Sequence, residues 1–356
     1  MIALEVSSAA GHGYGGVPGT IRNLVGGLLR LDPDTRYDLC YRLSRWRKGE
    51  LWRPDAPNVR FRVLQDPLNA LVLRGDRLLH SMGVWLPKTP RIPKLVTVHD
   101  LNAVRNVAWV SERWHERRSG RIRRAIARAD HVVTYSEFTA AEVREEYGLP
   151  ANRVHPVPLG VDAKAFRAPS AEEIARVRAR HGDYALGIGL WTPRKNFARL
   201  VEAVARVPKL RLVLVGRPSD GESEVRAAVV RHGLRERFEH LRDVAHEDLT
   251  ALLGAARVYV VPSLYEGFGL TVLEAMACGA PVVCSTAASL PEVAGDAALA
   301  VDATNVDALA AAIARVLEDP ALARDLRERG AKRVSELSWD AAARRMRALY
   351  RDVAGV

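Results

Sequence analysis

The sequence predicts an α/β protein of two doubly wound domains, each a parallel sheet with helices on both faces. Three observations carry this. Short β-branched apolar runs alternate with longer helical patterns along the chain, the order that builds parallel sheets. Most of those runs are apolar without alternation, as strands covered on both faces must be. Near Pro158-Leu159-Gly160-Val161-Asp162 the pattern breaks, with Pro156 and Pro169 close by, and then restarts. The 356 residues suffice for a domain on either side.

The elements follow in order. Strands are expected at Ile2–Ser8, Leu95–Val98, His131–Tyr135 and Arg153–Val157 in the first half. In the second they are expected at Leu186–Gly189, Leu210–Val215, Val258–Val261 and Pro281–Cys284. Helical periodicity marks Gly19–Leu31, Glu137–Tyr147, Phe197–Val207, Asp248–Ala256 and Asp307–Leu317. A further helix is expected over Leu270–Cys278, stopped by Gly279 with Pro281 beyond. The tail Ser338–Val356 is helical too, with Trp339, Ala342, Met346, Leu349, Tyr350 and Val353 on its apolar stripe. These patterns divide the chain into residues 1–162, 163–337 and a terminal helix, 338–356.

Composition narrows the partners. Lys and Arg number 53 against 42 Asp and Glu, a net charge of +11, which favours anionic ligands. No zinc finger, RNA-recognition signature or helix-turn-helix spacing is present, so no nucleic-acid partner is expected. No run approaches the ~18 uncharged apolar residues of a membrane span. The start, Met1–Val6, lacks a basic leader and carries Glu5, so it reads as a strand and not a signal peptide. Cys40, Cys278 and Cys284 are an odd, scattered set that argues against disulfides and zinc and for a cytoplasmic setting.

Open parallel sheets place ligands at the carboxyl ends of their strands, and four strand ends carry chemistry. The first is Tyr265–Glu274. Gly267 and Gly269 let backbone approach a ligand without a Cβ in the way. The amides of Phe268 to Thr271 are free donors at a helix start, an anion site suited to a diphosphate. Glu266 and Glu274 flank it, and carboxylates accept paired hydrogen bonds from vicinal hydroxyls. A solvated helix acid and a loop acid would also account for this pair. The second is Pro193-Arg194-Lys195-Asn196, where adjacent cations can neutralise a leaving diphosphate or form a basic surface turn. The third is His99-Asp100, a hydrogen-bond donor or general base if it faces a ligand, and structural if not. The fourth is Gly11–Gly19. Gly11, Gly13 and Gly16 spell GxGxxG, but Pro18 intervenes and the helix is expected to open only near Gly19. A flexible loop and a close approach to a ligand both fit. Asp38 stands at the start of the run Tyr37–Leu43, not at its end where a dinucleotide fold wants an acid.

Taken together, these residues resemble the GT-B glycosyltransferases of family 4, the glycosyl transferases group 1. The likeness is densest over Arg257–Asp296, where Pro262–Leu270 and Leu273–Gly279 match the family signature and Ser289–Val293 and Gly295–Ala298 continue it. Pro193–Asn196, Val215-Gly216, Thr97–Leu101, Ser136–Phe138 and Gly160–Asp162 extend it across nearly the whole chain. The resemblance implies two Rossmann-like domains facing across a cleft, with the last helix crossing back to the first domain. It implies a nucleotide-diphosphate sugar donor, GDP- or UDP-linked, with GDP-mannose as the family habit, and no cofactor or metal. By matching position Arg194 and Lys195 bind the diphosphate and Glu274 the ribose. Glu266 contacts the moving hexose, and Gly267, Phe268, Gly269 and Leu270 cap phosphate through backbone. His99 lies near the sugar C6, and Gly15 and Gly16 approach the phosphate. Trp191 is bulky for its position and is expected to line or narrow the donor pocket.

The implied reaction is retaining transfer of a hexose to a hydroxyl of a glycan, a lipid-linked sugar or a small molecule. A catalytically idle sugar-nucleotide-binding subunit and a GT-B epimerase or phosphorylase are the alternatives. Asp32-Pro33-Asp34 has the form of a metal-binding DxD but follows a helix, and is read as a turn. Arg113–Asp130 is dense in arginine, with Arg117, Arg121, Arg124 and Arg128 on one helical face. That face is either an ordinary solvated one or a contact with anionic lipid heads, at the inner membrane face, or with a lipid-diphosphate acceptor.

Overall fold

A computed structural model describes residues 1–10, 16–49, 51–89 and 92–355. The chain forms two compact units, Met1–Leu159 with Trp339–Val356, and Gly160–Ser338.

The first unit is built on β1 (Ile2–Glu5), β2 (Tyr37–Arg42), β3 (Val59–Leu64), β4 (Leu79–Ser81), β5 (Lys94–Thr97), β6 (His131–Thr134) and β7 (Val154–Pro156). All pair in parallel in the order β3-β2-β1-β4-β5-β6-β7. The chain order reverses between β1 and β4, the switch point where such sheets open at their carboxyl ends. Val96, Val98, Ile122, Ile126 and Val132 join one core cluster on a face of this sheet.

The second unit holds β8 (Tyr184–Ile188), β9 (Arg211–Val215), β10 (Phe238–Leu241), β11 (Val258–Val261), β12 (Val282–Ser285) and β13 (Ala298–Val301). They are parallel in the order β10-β9-β8-β11-β12-β13. Here the switch lies between β8 and β11, so the loops after these two strands become neighbours. Trp191, Leu200, Val204, Leu212, Val260 and Ile313 belong to its core. Cys40, Cys278 and Cys284 are free and buried, each acting as a small hydrophobe.

The pattern misses several strands for identifiable reasons. β4 has three residues, β10 is a partly buried edge strand reading Phe-Glu-His-Leu, and β13 is rich in alanine. The first strand stops at Glu5, and a 3-10 turn, Ser7–Ala9, takes the rest of the expected run.

The first helix is also longer than expected. It spans Gly16–Leu31, with Pro18 inside its first turn. Proline is harmless there because the first four amides of a helix have no intrahelical partner. The terminal helix, Trp339–Ala354, packs on this first helix. A Cβ at Gly27 would stand 2.9 Å from Ala343 Cβ and 3.2 Å from the Trp339 carbonyl oxygen, so the contact needs glycine. Arg30 pairs with Asp340 at 2.8 Å, and Tyr350 Oη lies 2.6 Å from His80 Nδ1. Asp32 is nearly buried and lies 3.0 Å from Arg347 Nε of the terminal helix.

Candidate active site

In the second unit the loop after β8 and the loop after β11 are locked together by backbone and side chain. Leu264 N donates to the Arg194 carbonyl at 2.7 Å, and Arg194 Nη1 donates to the Tyr265 carbonyl at 3.0 Å. Asn196 adopts a left-handed conformation (φ 57°) and donates from Nδ2 to the carbonyls of Pro262 and Ala303, at 3.0 and 2.9 Å. Asparagine tolerates that backbone better than most side chains. These bonds fix Arg194 and Lys195 over the end of β11.

Three charges meet there. Glu266 Oε1 lies 2.7 Å from Lys195 Nζ, and Glu266 Oε2 lies 2.9 Å from Arg194 Nη1. Lys195 and Glu266 are both buried. Burial opposes ionisation of Glu266, but Lys195 and Arg194 outweigh it and hold its pKa down to about 2. The carboxylate is thus charged, and the three groups sum to one positive charge.

Next along the chain is the anion-capable turn. Gly269 has φ +99° and caps the helix Leu270–Ala277. A Cβ at Gly269 would also meet Leu290 Cδ2 at 2.8 Å. Ser289 is fully buried and donates to the carbonyls of both Glu266 and Phe268, at 2.8 and 2.9 Å. Its hydroxyl turns those oxygens inward. Among the described residues the amides of Phe268, Gly269 and Leu270 meet no acceptor, and they stand at the positive end of a helix dipole.

Glu274, one turn into that helix, is partly buried, and its carboxylate has no hydrogen-bond partner among the described residues. Burial pushes its pKa up to about 7, with Lys195 pulling weakly the other way. A carboxylate in this state gains from hydroxyl donors that water no longer supplies.

His99 lies in the first unit and is 9% exposed. Its Nε2 is 3.0 Å from the Met82 carbonyl oxygen, and its ring meets Tyr135 edge-on at 5.2 Å. A carbonyl only accepts, so Nε2 carries the proton. Burial, then Arg118, lower the His99 pKa to about 4. The ring is neutral at pH 7, with Nδ1 left as a hydrogen-bond acceptor. The donor role is therefore already taken by Met82, and what remains is an acceptor of weak basicity.

The chain matches the family described as Glycosyl transferases group 1 over residues 174–333, and Glycosyltransferase Family 4 over residues 33–165. It is 33% identical to O-antigen chain mannosyltransferase B of Escherichia coli, over 79% of this chain and 76% of that protein. It is 32% identical to MMP alpha-(1->4)-mannosyltransferase of Mycolicibacterium hassiacum, over 89% and 79%. Sucrose-phosphate synthase from Thermosynechococcus elongatus shares the fold with a TM-score of 0.77 and 28% identity, over 99% of this chain and 98% of that one. The chain belongs to the family 4 glycosyltransferases. Its two parallel-sheet units are those of the GT-B fold.

In this glycosyltransferase the structure brings Arg194, Lys195 and Glu266 into direct contact, beside the turn Gly267–Leu270 and below Glu274. Gly16 opens the first helix with φ +66°. Gly15, with Gly11 and Gly13, falls outside the described residues. Trp191 does not line a pocket. It is completely buried among core residues, 4.2 Å from the His240 ring and 6.2 Å from Phe238. Past β8 the chain keeps the parallel β8–β9 register, Trp191 bridging to Pro218 beyond the end of β9, and the indole packs into the core. Sequence reasoning gave no role to Ser289 or Asn196, although both lie in quoted motifs. Each acts on carbonyls more than 20 residues away, and no local pattern carries that information.

Proposed function

We propose that the protein is a retaining, metal-independent hexosyltransferase that takes its sugar, mannose first among candidates, from a GDP- or UDP-linked donor. The observation that carries this is the Arg194–Lys195–Glu266 cluster set against the unengaged amides of Phe268, Gly269 and Leu270. Two fixed cations and a helix start provide for a diphosphate what a divalent ion would otherwise supply. Glu274 accepts from the ribose hydroxyls, and Glu266 from hydroxyls of the moving sugar. The names of the two mannosyltransferase relatives support mannose.

In the reaction the bond between the anomeric carbon and the diphosphate oxygen breaks, and the charge that develops falls on Arg194, Lys195 and the amides. The acceptor hydroxyl attacks on the same face, and its proton passes to the departing diphosphate oxygen. The acceptor is a hydroxyl of a glycan, a lipid-linked sugar or a small molecule. Among the described residues no helix is long and apolar enough to cross a membrane, so a lipid-linked acceptor would be met at the bilayer surface, with the arginine-rich helix Glu112–Arg128 as the contact.

The test is a screen of GDP- and UDP-sugars for thermal stabilisation and donor hydrolysis, followed by NMR assignment of the product anomer. One donor should stand out, and the new linkage should keep its configuration. Inversion, or no response to any nucleotide sugar, would overturn the reading.

A further inference from the structure

The first unit holds a concave site of its own, apart from the residues of the second unit's charge cluster. A cavity of about 690 Å³ is lined by Arg42, Arg45, Arg118 and Arg121, with Glu5 and His99 on its wall. Arg42 ends β2, and Arg45 follows on the short helix Leu43–Trp46. Arg118 and Arg121 lie one turn apart on the helix Glu112–Arg128. Of the arginine-rich face read from the sequence, Arg121 lines this cavity, and Arg118, outside that face, lines it too. Ile122, Ala125 and Ile126 face the core, Arg128 donates to the Leu86 carbonyl at 3.1 Å, and Arg118 and Arg121 turn to the cavity.

The charge in this cavity is not balanced. Glu5 is its single acid among the lining residues. That carboxylate is buried, accepts from the Ser7 amide at 3.2 Å and from Ser81 Oγ at 3.3 Å, and lies 3.5 Å from Arg42 Nε. The Arg42 guanidinium lies over the Trp85 ring, 5.5 Å from its centroid. Among the described residues the side chains of Arg45, Arg118 and Arg121 have no hydrogen-bond or ion-pair partner. Burial, together with Arg117, Arg42, Arg118 and Arg124, lowers the Arg121 pKa, which reports like charges crowded without an acid between them.

Four guanidiniums against one carboxylate leave three positive charges on a concave wall. Such a wall focuses its field on an incoming anion. Guanidinium forks match the oxygens of a phosphate, and several converging forks suit a polyanion better than a single carboxylate. The volume falls in the range that holds a small ligand whole. We propose that the acceptor is a phosphate-bearing molecule whose phosphate or diphosphate is gripped by Arg42, Arg45, Arg118 and Arg121. This rests on the glycosyltransferase reading above, with the acceptor on the first unit. A soluble sugar phosphate and the diphosphate head of a lipid-linked sugar share this chemistry.

The test uses the full chain carrying Arg194→Ala, which disables the diphosphate site of the second unit. It is titrated calorimetrically with α-mannose 1-phosphate, farnesyl diphosphate and methyl α-mannoside. At least one phosphate probe should bind about tenfold or more tightly than methyl α-mannoside. That affinity should fall about tenfold or more when Arg118→Ala and Arg121→Ala are added, and should weaken with added salt. The tighter of the two phosphate probes identifies the soluble or the lipid-linked source. Should the multiple variant unfold by circular dichroism, Arg121→Glu at its exposed position gives the same readout. Equal binding of the neutral probe, no phosphate binding, or indifference to the arginine changes overturns the inference. Nucleotide-sugar binding by the unaltered chain is measured in parallel. A chain that binds the donor but no phosphate probe refutes this inference alone, and one that binds neither refutes the donor reading as well.

Discussion

Replacing Glu274 with glutamine should remove a proton from the thermodynamics of donor binding. The Glu274 carboxyl titrates at about 7 instead of 4.5, because burial disfavours its charge more than Lys195 restores it. A group whose folded pKa is raised favours the folded state below its unfolded value and loses that contribution as pH rises through the folded one. The window is therefore 4.5 to about 7, and the difference amounts to about 3 kcal/mol at 1.36 kcal/mol per pH unit. At pH 7 about half of the carboxyls are protonated, and at pH 6 about nine in ten. Ribose hydroxyls hydrogen-bond to the ionised form and lower its pKa. Donor binding should then release about half a proton at pH 7 and nearly a whole one at pH 6. A nucleotide-diphosphate sugar has no phosphate group titrating in that window. Calorimetric titration in two buffers of different ionisation enthalpy reads the proton count directly. Glu274→Gln should abolish the buffer dependence, weaken donor binding and stabilise the ligand-free protein above pH 7. Heats at pH 6 that are independent of buffer, or equally dependent in the variant, would refute the assignment of Glu274 to the ribose.

Three further changes separate other parts of the site. Glu266→Gln leaves Lys195 buried without its carboxylate, which should destabilise the second unit by about 3 kcal/mol in urea titration; it should also cut transfer about 100-fold or more while pyrophosphate binding improves, and unimpaired turnover would remove Glu266 from the reaction. Arg194→Ala should weaken donor binding and lower kcat about 100-fold in steady-state assays, and unimpaired turnover would remove Arg194 from the diphosphate site. Ser289→Ala frees the carbonyls of Glu266 and Phe268, so thermal melting should show a loss of about 1 to 3 kcal/mol and donor KM should rise. Transfer measured in excess EDTA should proceed at the untreated rate, and strict Mn dependence would contradict the role given to Arg194 and Lys195.

Some of this was legible because the chemistry is local. Gly267–Leu270 and the acid at Glu274 lie within eight residues of one strand-turn-helix junction, so spacing alone exposes an anion site. The parallel sheets were legible because strands covered on both faces must be apolar throughout, as β11 and β12 are. β10 and β13 hid because an edge position relaxes that demand, and Pro18 misled because it reads as a break when it stands in a first helical turn. Trp191 misled for a different reason. Its neighbours in sequence are loop residues, and nothing local reveals that they extend the β8–β9 register past the strand ends and bury the indole.

The sequence by itself determined the fold class and the residue types of the candidate site, the glycine turn included, since each is written in a contiguous stretch. The tertiary structure decided their partnerships. Glu266 meets Lys195 across 71 positions because β8 neighbours β11 in the sheet. Arg42 and Arg45 share a wall with Arg118 and Arg121 because the end of β2, the short helix Leu43–Trp46 and the helix Glu112–Arg128 meet at the same cavity. Strand order is set by the packing of whole layers and not by any one segment, so no local pattern could name those pairs.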